Sequence, residues 1–74
     1  MEEKIIKLLE QIKPEIIEYT GNSMLEDGVL DSFDIIDIMT ELEEMFDVEI
    51  DANYAVAENF INKEAIVEMM KQIL

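Results

Sequence analysis

The sequence predicts an all-α fold: a small four-helix bundle with three longer helices, one short helix and a long loop between the first two longer helices. Apolar residues recur at helical spacing in three separate segments. The 74 residues include no cysteine, so neither a disulfide nor a thiolate metal site can stabilise the fold. Half of the residues are hydrophobic, which suits a single domain over residues 1–74 with one core.

The first helix is predicted over residues 2–12, where lysines and glutamates separate apolar residues that fall on one face. Pro14 lacks a backbone N–H and disfavours a helical conformation of Lys13, so the helix should end or kink there. Residues 14–19 then either extend this helix by a turn or lie extended.

A long loop follows, beginning with the turn cluster at residues 20–23. Leu25 and Leu30 should anchor this loop to the core, and Gly28 permits a backbone bend. The second longer helix should start at Asp31 or Ser32, because both residue types are good N-caps, and should run to about residue 46.

The second longer helix has two contrasting faces at about 100° per residue. The core face should consist of Ile35, Ile38, Met39, Leu42, Met45 and Phe46. The outer side should carry the seven residues that we call the docking face: Phe33, Asp34, Ile36, Asp37, Thr40, Glu43 and Glu44. Two large apolar groups among carboxylates predict a surface on which charge steers a partner and apolar contact holds it. Alternatively, these are ordinary exposed apolar residues, or Phe33 folds back against the loop.

The remainder of the chain predicts a connection and a last helix. Residues 47–51 alternate polar and apolar, which indicates an extended linker with its two apolar residues pointing inward. Residues 57–61 should form one helical turn. Asn62 should then cap a helix over residues 63–73, whose apolar side consists of Ala65, Ile66, Met69, Met70, Ile73 and Leu74.

The charge distribution indicates which partners suit this protein. The net charge is −14, all five lysines lie near the ends, and from Glu26 to Asp51 there are eleven acids and no base. Such a field repels nucleic acid and anionic lipid, and it accelerates encounter with basic protein surfaces. The alternative is that the acidity only maintains solubility, although solubility does not require the charges to be segregated.

Features of a signal peptide or a membrane span are not expected. Residues 1–4 open an amphipathic segment, with no positive region ahead of an apolar run. Each apolar stretch is shorter than the length needed to span a bilayer. We expect a cytoplasmic monomer that does not insert into membranes.

The residue types exclude most catalytic chemistry. Nucleophilic catalysis by Ser32 would need a base, but the chain has no histidine and its lysines lie far away in sequence. The carboxylates Asp31 and Asp34 have no desolvated cleft in which to act as acid and base. A calcium loop counted from Asp47 has Ala52 where glycine is needed for the sharp turn. We therefore expect neither catalytic residues nor a metal site.

The residues Asp-Ser-Phe-Asp at positions 31–34 resemble the acyl carrier protein family. The pattern of that family is Asp-Ser-Leu at the start of an acidic second helix, in a four-helix domain of about this length. The resemblance covers nearly the whole chain, including residues 41–46 at the end of the helix and the Ile50-Asp51 pair that begins the next connection.

This resemblance implies that Ser32 receives 4′-phosphopantetheine from coenzyme A through a phosphopantetheinyl transferase. The thiol of that arm would carry an acyl or aminoacyl group as a thioester, and the chain itself would not be an enzyme. The implied partners are the transferase, an acyl- or aminoacyl-loading ligase and downstream acyl-transfer enzymes. Six residues of the docking face match family positions that meet basic patches on such enzymes: Asp34, Asp37, Glu43 and Glu44, with Phe33 and Ile36.

Departures from the family pattern leave the cargo open. Phe33 stands where leucine is usual, and Gly-Val-Leu at residues 28–30 resembles stand-alone carriers, including D-alanyl carrier proteins, whereas Asp34 resembles carriers of fatty acid biosynthesis. The expected function is an acyl carrier protein of lipid metabolism, with a D-alanyl or other aminoacyl carrier as the alternative. A further alternative is a non-catalytic acidic helical adaptor in which Ser32 is a plain N-cap.

Overall fold

The computed structural model describes residues 2–74, so Met1 of the predicted domain lies outside the described residues. Four α-helices follow one another: α1 (Glu2–Ile12), α2 (Glu15–Glu18), α3 (Ser32–Phe46) and α4 (Lys63–Ile73). Two 3₁₀ turns, Ala52–Tyr54 and Ala57–Phe60, connect α3 to α4. No strand occurs in residues 2–74. The prediction of a small all-α bundle with three longer helices is confirmed.

The chain kinks at Pro14 and then resumes as a helix. The Lys13 N–H donates to the Leu9 carbonyl at 2.9 Å, and the Lys13 carbonyl accepts from the Ile16 N–H at 3.0 Å. These bonds continue the helical path on both sides of the proline, although Pro14 itself has no N–H to donate. Ile16 is fully buried. Residues 15–18 therefore form a further helical turn, which resolves the alternative left open by the sequence.

The helical turn predicted over residues 57–61 is present, but as 3₁₀ helix and not as α-helix. The segment predicted as a helical turn over residues 57–61 is the 3₁₀ turn Ala57–Phe60, in which the Asn59 N–H donates to the Val56 carbonyl three residues earlier at 3.0 Å. A segment this short, separated from the Asn62 cap of α4 by Ile61 alone, leaves little room for α-helical hydrogen bonds. The short α-helix is α2 instead.

One hydrophobic core joins all four helices, and α1 contacts α2, α3 and α4. Besides residues of the helices, it contains a methionine that the sequence analysis did not single out. Met24 is fully buried; its N–H donates to the Ile61 carbonyl at 2.9 Å and its carbonyl accepts the N–H groups of Val29 and Leu30. Leu30 is buried as expected and Leu25 is half-buried. Met24 is thus the main anchor of the long loop.

The loop is also held by Tyr19. Its hydroxyl donates to the Asp27 carboxylate and accepts the Ser23 N–H at 2.6 Å. Burial of the phenol, followed by its bond to Asp27, raises the pKa of Tyr19. A Cβ at Gly21 would come within 2.5 Å of the Tyr19 hydroxyl, so a side chain at this position would push the tyrosine out of place.

Two predicted core residues are wrong, and Val67 is a second core residue, besides Met24, that was not predicted. Met45 is 43% exposed. Its neighbours on the helix surface are buried Leu42, three residues earlier, and exposed Glu41, four residues earlier, so Met45 lies at the edge of the buried face of α3. Leu74 is 49% exposed and follows the last residue of α4. Val67 is buried because α4 contacts both α1 and the Ala57–Phe60 turn, which widens its buried face.

Candidate functional site

The start of α3 is closed by a reciprocal pair of hydrogen bonds. The Asp31 carboxylate accepts the Asp34 N–H at 3.0 Å, and the Asp34 carboxylate accepts the Asp31 N–H at 3.1 Å. This capping box satisfies two backbone donors that a helix start would otherwise leave without partners. Asp31 is therefore the N-cap and Ser32 is the first helical residue, which corrects the hypothesis that Ser32 is a plain N-cap.

Ser32 is exposed, and its hydroxyl takes no part in the hydrogen bonds formed among residues 2–74. Its backbone is nevertheless well positioned, because buried Leu30 precedes it by two residues and buried Ile35 follows it by three. At Gly28, φ is +77°, a left-handed conformation that turns the chain toward α3 and that glycine adopts without strain. The loop and helix thus hold a free hydroxyl at a defined surface position.

A lysine that is distant in sequence meets the start of α3. The Lys13 ammonium donates to the Asp34 carboxylate at 3.1 Å, and both side chains are about a quarter exposed, at 28% and 24%. The Asp31 N–H, and after it the Lys13 ammonium, lower the pKa of Asp34. The same hydrogen bond raises the pKa of Lys13. This contact was not predicted, since no local pattern relates residues 21 positions apart.

The apolar part of the docking face is solvent-exposed. Phe33 is 76% exposed and Ile36 is 59% exposed, so Phe33 does not fold back against the loop. Thr40 is exposed as well, but its hydroxyl donates to the Ile36 carbonyl at 2.9 Å. The threonine hydroxyl therefore has a partner within the helix. Phe33 and Ile36 remain as the two large apolar groups on this surface.

Two acidic residues of the docking face make internal contacts. Asp34 bonds Lys13, as described above, and the Glu43 carboxylate accepts the Ile50 N–H at 2.8 Å. Both residues are half-buried. The Asp34 carboxylate therefore holds the end of α1, and the Glu43 carboxylate holds the segment after α3. These internal contacts were not part of the predicted role in partner binding.

The exposed carboxylates of α3 form a row. Asp37 and Glu44 were predicted on the docking face, and exposed Glu41 lies between them, four residues after Asp37 and three before Glu44. Residues at these spacings are neighbours on a helix surface. Glu41 was missed as a surface charge of this face, although its spacing alone would have placed it there.

A surface cavity lies away from Ser32. Its volume is about 460 Å³, and Ile6, Ile17 and Val67 form its apolar walls between α1, α2 and α4. None of its lining residues belongs to α3. Within residues 2–74, no group of three or more His, Cys, Asp or Glu side chains is arranged to hold a metal ion.

Comparisons of the chain with known protein families, with curated proteins and with solved structures find no match. In the described part of the chain, every helix is too short or too polar to cross a bilayer.

Proposed function

We propose that this protein is a cytoplasmic, monomeric carrier of acyl or aminoacyl groups, with Ser32 as the attachment point of a 4′-phosphopantetheine arm. The observation that carries the proposal is the free, exposed hydroxyl at the first position of α3. Because Asp31 and Asp34 cap the helix, esterification of Ser32 removes no hydrogen bond that the fold uses. Modification and helix stability are thereby independent of each other.

The proposed modification of Ser32 is a transfer of the phosphopantetheine group of coenzyme A to the serine oxygen. The Ser32 oxygen forms the new bond to phosphorus as the phosphoanhydride bond of coenzyme A breaks and adenosine bisphosphate leaves. The serine proton goes to a base on the transferase, since the chain has no histidine and the nearby Lys13 ammonium is already protonated. When bound, the arm supplies a thiol that holds the cargo as a thioester. The chain, which has no cysteine, contributes no thiol of its own.

The docking face favours enzymes that have an apolar pocket rimmed by lysine or arginine. Full burial of an aromatic side chain such as Phe33 contributes roughly 1.5–3 kcal/mol to association. The row formed by Asp37, Glu41 and Glu44 adds attraction that mainly raises the association rate. We propose the transferase, a loading ligase and downstream acyl-transfer enzymes as the partners that share this surface.

The same exposed pair, Phe33 and Ile36, also suits an acidic helical adaptor that binds basic partners without any arm. In that case Ser32→Ala would leave partner binding and cellular function unchanged. A complementation assay with Ser32→Ala separates the two functions, because a carrier without its attachment point cannot support growth that depends on it.

Intact-mass spectrometry after incubation with coenzyme A and a broad-specificity phosphopantetheinyl transferase tests the proposal directly. We expect the wild-type protein to gain one phosphopantetheine mass and Ser32→Ala to gain none. Ser23→Ala is the matched control, since Ser23 is the one other serine and is buried with its hydroxyl accepting the Glu26 N–H at 3.3 Å. An unmodified wild-type protein, or a modified Ser32→Ala, would contradict the proposal.

A further inference from the structure

We propose that Lys13 is a positioning residue for the modification of Ser32, whose ammonium offsets the carboxylates at the start of α3 so that an anionic phosphate donor can reach the serine. This inference rests on the proposed function. It assigns to Lys13 a role that neither its position just after α1 nor any local motif indicates.

The backbone of Lys13 is held on both sides. Its N–H bonds the Leu9 carbonyl at 2.9 Å, its carbonyl bonds the Ile16 N–H at 3.0 Å, and Pro14 follows directly. The Lys13 side chain therefore starts from a defined point between α1 and α2. Its ammonium reaches Asp34 at 3.1 Å, and the same Asp34 oxygen accepts the Asp31 N–H at 3.1 Å. The Lys13 ammonium and the Asp31 N–H thus share one Asp34 oxygen, which places the positive charge next to Asp31, the residue before Ser32.

The surroundings of Ser32 are otherwise negative. Asp31 and Asp34 flank it, and they belong to a stretch of eleven acids without a base. The pyrophosphate of coenzyme A is itself anionic, so its approach to Ser32 is opposed by these carboxylates. One ammonium bound to Asp34 cancels much of the nearest repulsion.

Other lysines do not supply this charge. The Lys63 ammonium donates to the Ile17 carbonyl at 2.8 Å, and Lys71 lies 4.0 Å from Glu68 within α4. Among residues 2–74, Lys13 is the lysine whose ammonium bonds a residue of α3. The offset at Ser32 is therefore local and depends on one side chain.

A role of Lys13 in partner docking would have a different kinetic effect from a role at Ser32. A cation on this surface repels a basic partner, so its removal would lower the KM of the transferase for the protein. An effect on the approach of phosphate to Ser32 changes kcat instead. The two kinetic constants therefore report different roles.

The experiment measures kcat and KM of phosphopantetheinyl transfer for wild type, Lys13→Gln, Lys13→Arg and Lys7→Gln at low and high salt. Lys7→Gln is the matched control, since it removes the same charge from an exposed position of α1. At low salt we expect kcat of Lys13→Gln to fall about tenfold, as for the loss of one partly screened charge pair, and to recover in Lys13→Arg. The defect should shrink at high salt.

A kcat of Lys13→Gln equal to that of Lys7→Gln, or a defect that Lys13→Arg does not restore, would overturn the inference while leaving the proposed function in place. Failure of the wild-type protein to gain the arm would overturn both. Helical circular dichroism checks that each variant folds. Lys13→Met, which keeps the alkyl stem, takes the place of Lys13→Gln if the latter loses its helical signal.

Discussion

Asp31 and Asp34 cap α3 together, each accepting the backbone N–H of the other, at 3.0 and 3.1 Å. Ser32 lies between them in sequence but outside this exchange. As a result, the residue with the free hydroxyl is not a residue on which the helix start depends. A surface modification at this position would leave the capping box intact.

The first prediction concerns stability at the cap. Asp31→Ala should lower the free energy of unfolding by about 1 kcal/mol, because it removes the N-cap acceptor. Ser32→Ala should change it by less than about 0.5 kcal/mol, since the hydroxyl has no partner to lose. Urea denaturation followed by circular dichroism measures both.

Asp31→Asn serves as the control for this prediction, because the amide oxygen still accepts a hydrogen bond and should retain most of the stability. A loss in Ser32→Ala as large as that in Asp31→Ala would mean that the serine caps the helix after all.

The second prediction concerns acid. The pKa of Asp34 lies below its ordinary value of 3.8, first because the Asp31 N–H bonds the charged form and then because the Lys13 ammonium does so. A depressed pKa in the folded state gives stability that is fully present above the ordinary value and is lost as pH falls through the folded value. Asp34→Asn should therefore be less stable than wild type at neutral pH, with a difference that shrinks in acid.

Urea denaturation of wild type and Asp34→Asn, repeated from neutral pH down to about pH 2.5, follows this difference. A gap between the two proteins that stays constant across the series would show that the ionisation of Asp34 contributes nothing to stability.

The third prediction concerns the end of α3. Asp47 has φ of 53° and ψ of 49°, a left-handed conformation that costs an L-residue other than glycine roughly 1 kcal/mol. Asp47→Gly should raise the free energy of unfolding by about 0.5–1 kcal/mol, because glycine adopts this C-cap conformation without the penalty.

Replacement of Asp47 also removes a negative charge from the unfavourable end of the helix dipole. Asp47→Asn isolates that charge effect, and the difference between the two variants in thermal or urea unfolding measures the backbone contribution. Equal stabilisation by both variants would assign the gain to charge alone.

The fourth prediction concerns docking. The double variant Asp37→Lys with Glu44→Lys should lower kcat/KM for phosphopantetheinyl transfer, because two exposed carboxylates that attract a basic enzyme become repulsive. The effect should be largest at low salt and weaker as salt screens the charges. The helical signal should stay unchanged, since both side chains are exposed and neither forms a hydrogen bond or ion pair within residues 2–74.

Glu10→Lys with Glu68→Lys provides the comparison, because it makes the same change of net charge at exposed positions of α1 and α4. If both double variants slow transfer equally, the overall charge of the protein matters and the docking face does not.

Helix positions were predictable because their signals are local. Pro14 marks the break after α1, the Asn62 carboxamide accepts the Ala65 N–H at the start of α4, and apolar periodicity covers each longer helix. Helical spacing also placed Phe33 and Ile36 on the outer side of α3, although the structure was needed to show that Phe33 does not fold back against the loop. These features depend on residues within about one turn of each other.

Other features of the site were outside the reach of local pattern. Asp31 and Ser32 are equally good caps by residue type, and the orientation of the two side chains decides between them. The burial of Met24 and the exposure of Met45 depend on which helix faces meet. Such outcomes follow from the packing of separate segments, which the residue type at a single position does not determine.

The amino-acid order was enough to establish an all-helical chain with a serine at the start of an acidic, partly apolar helix, because backbone hydrogen bonds and apolar spacing act between near neighbours. The meeting of Lys13 with Asp34, and of Glu43 with the Ile50 N–H, came from the packed bundle. These contacts join separate segments, and burial of the common core is the physical cause that brings those segments within bonding distance.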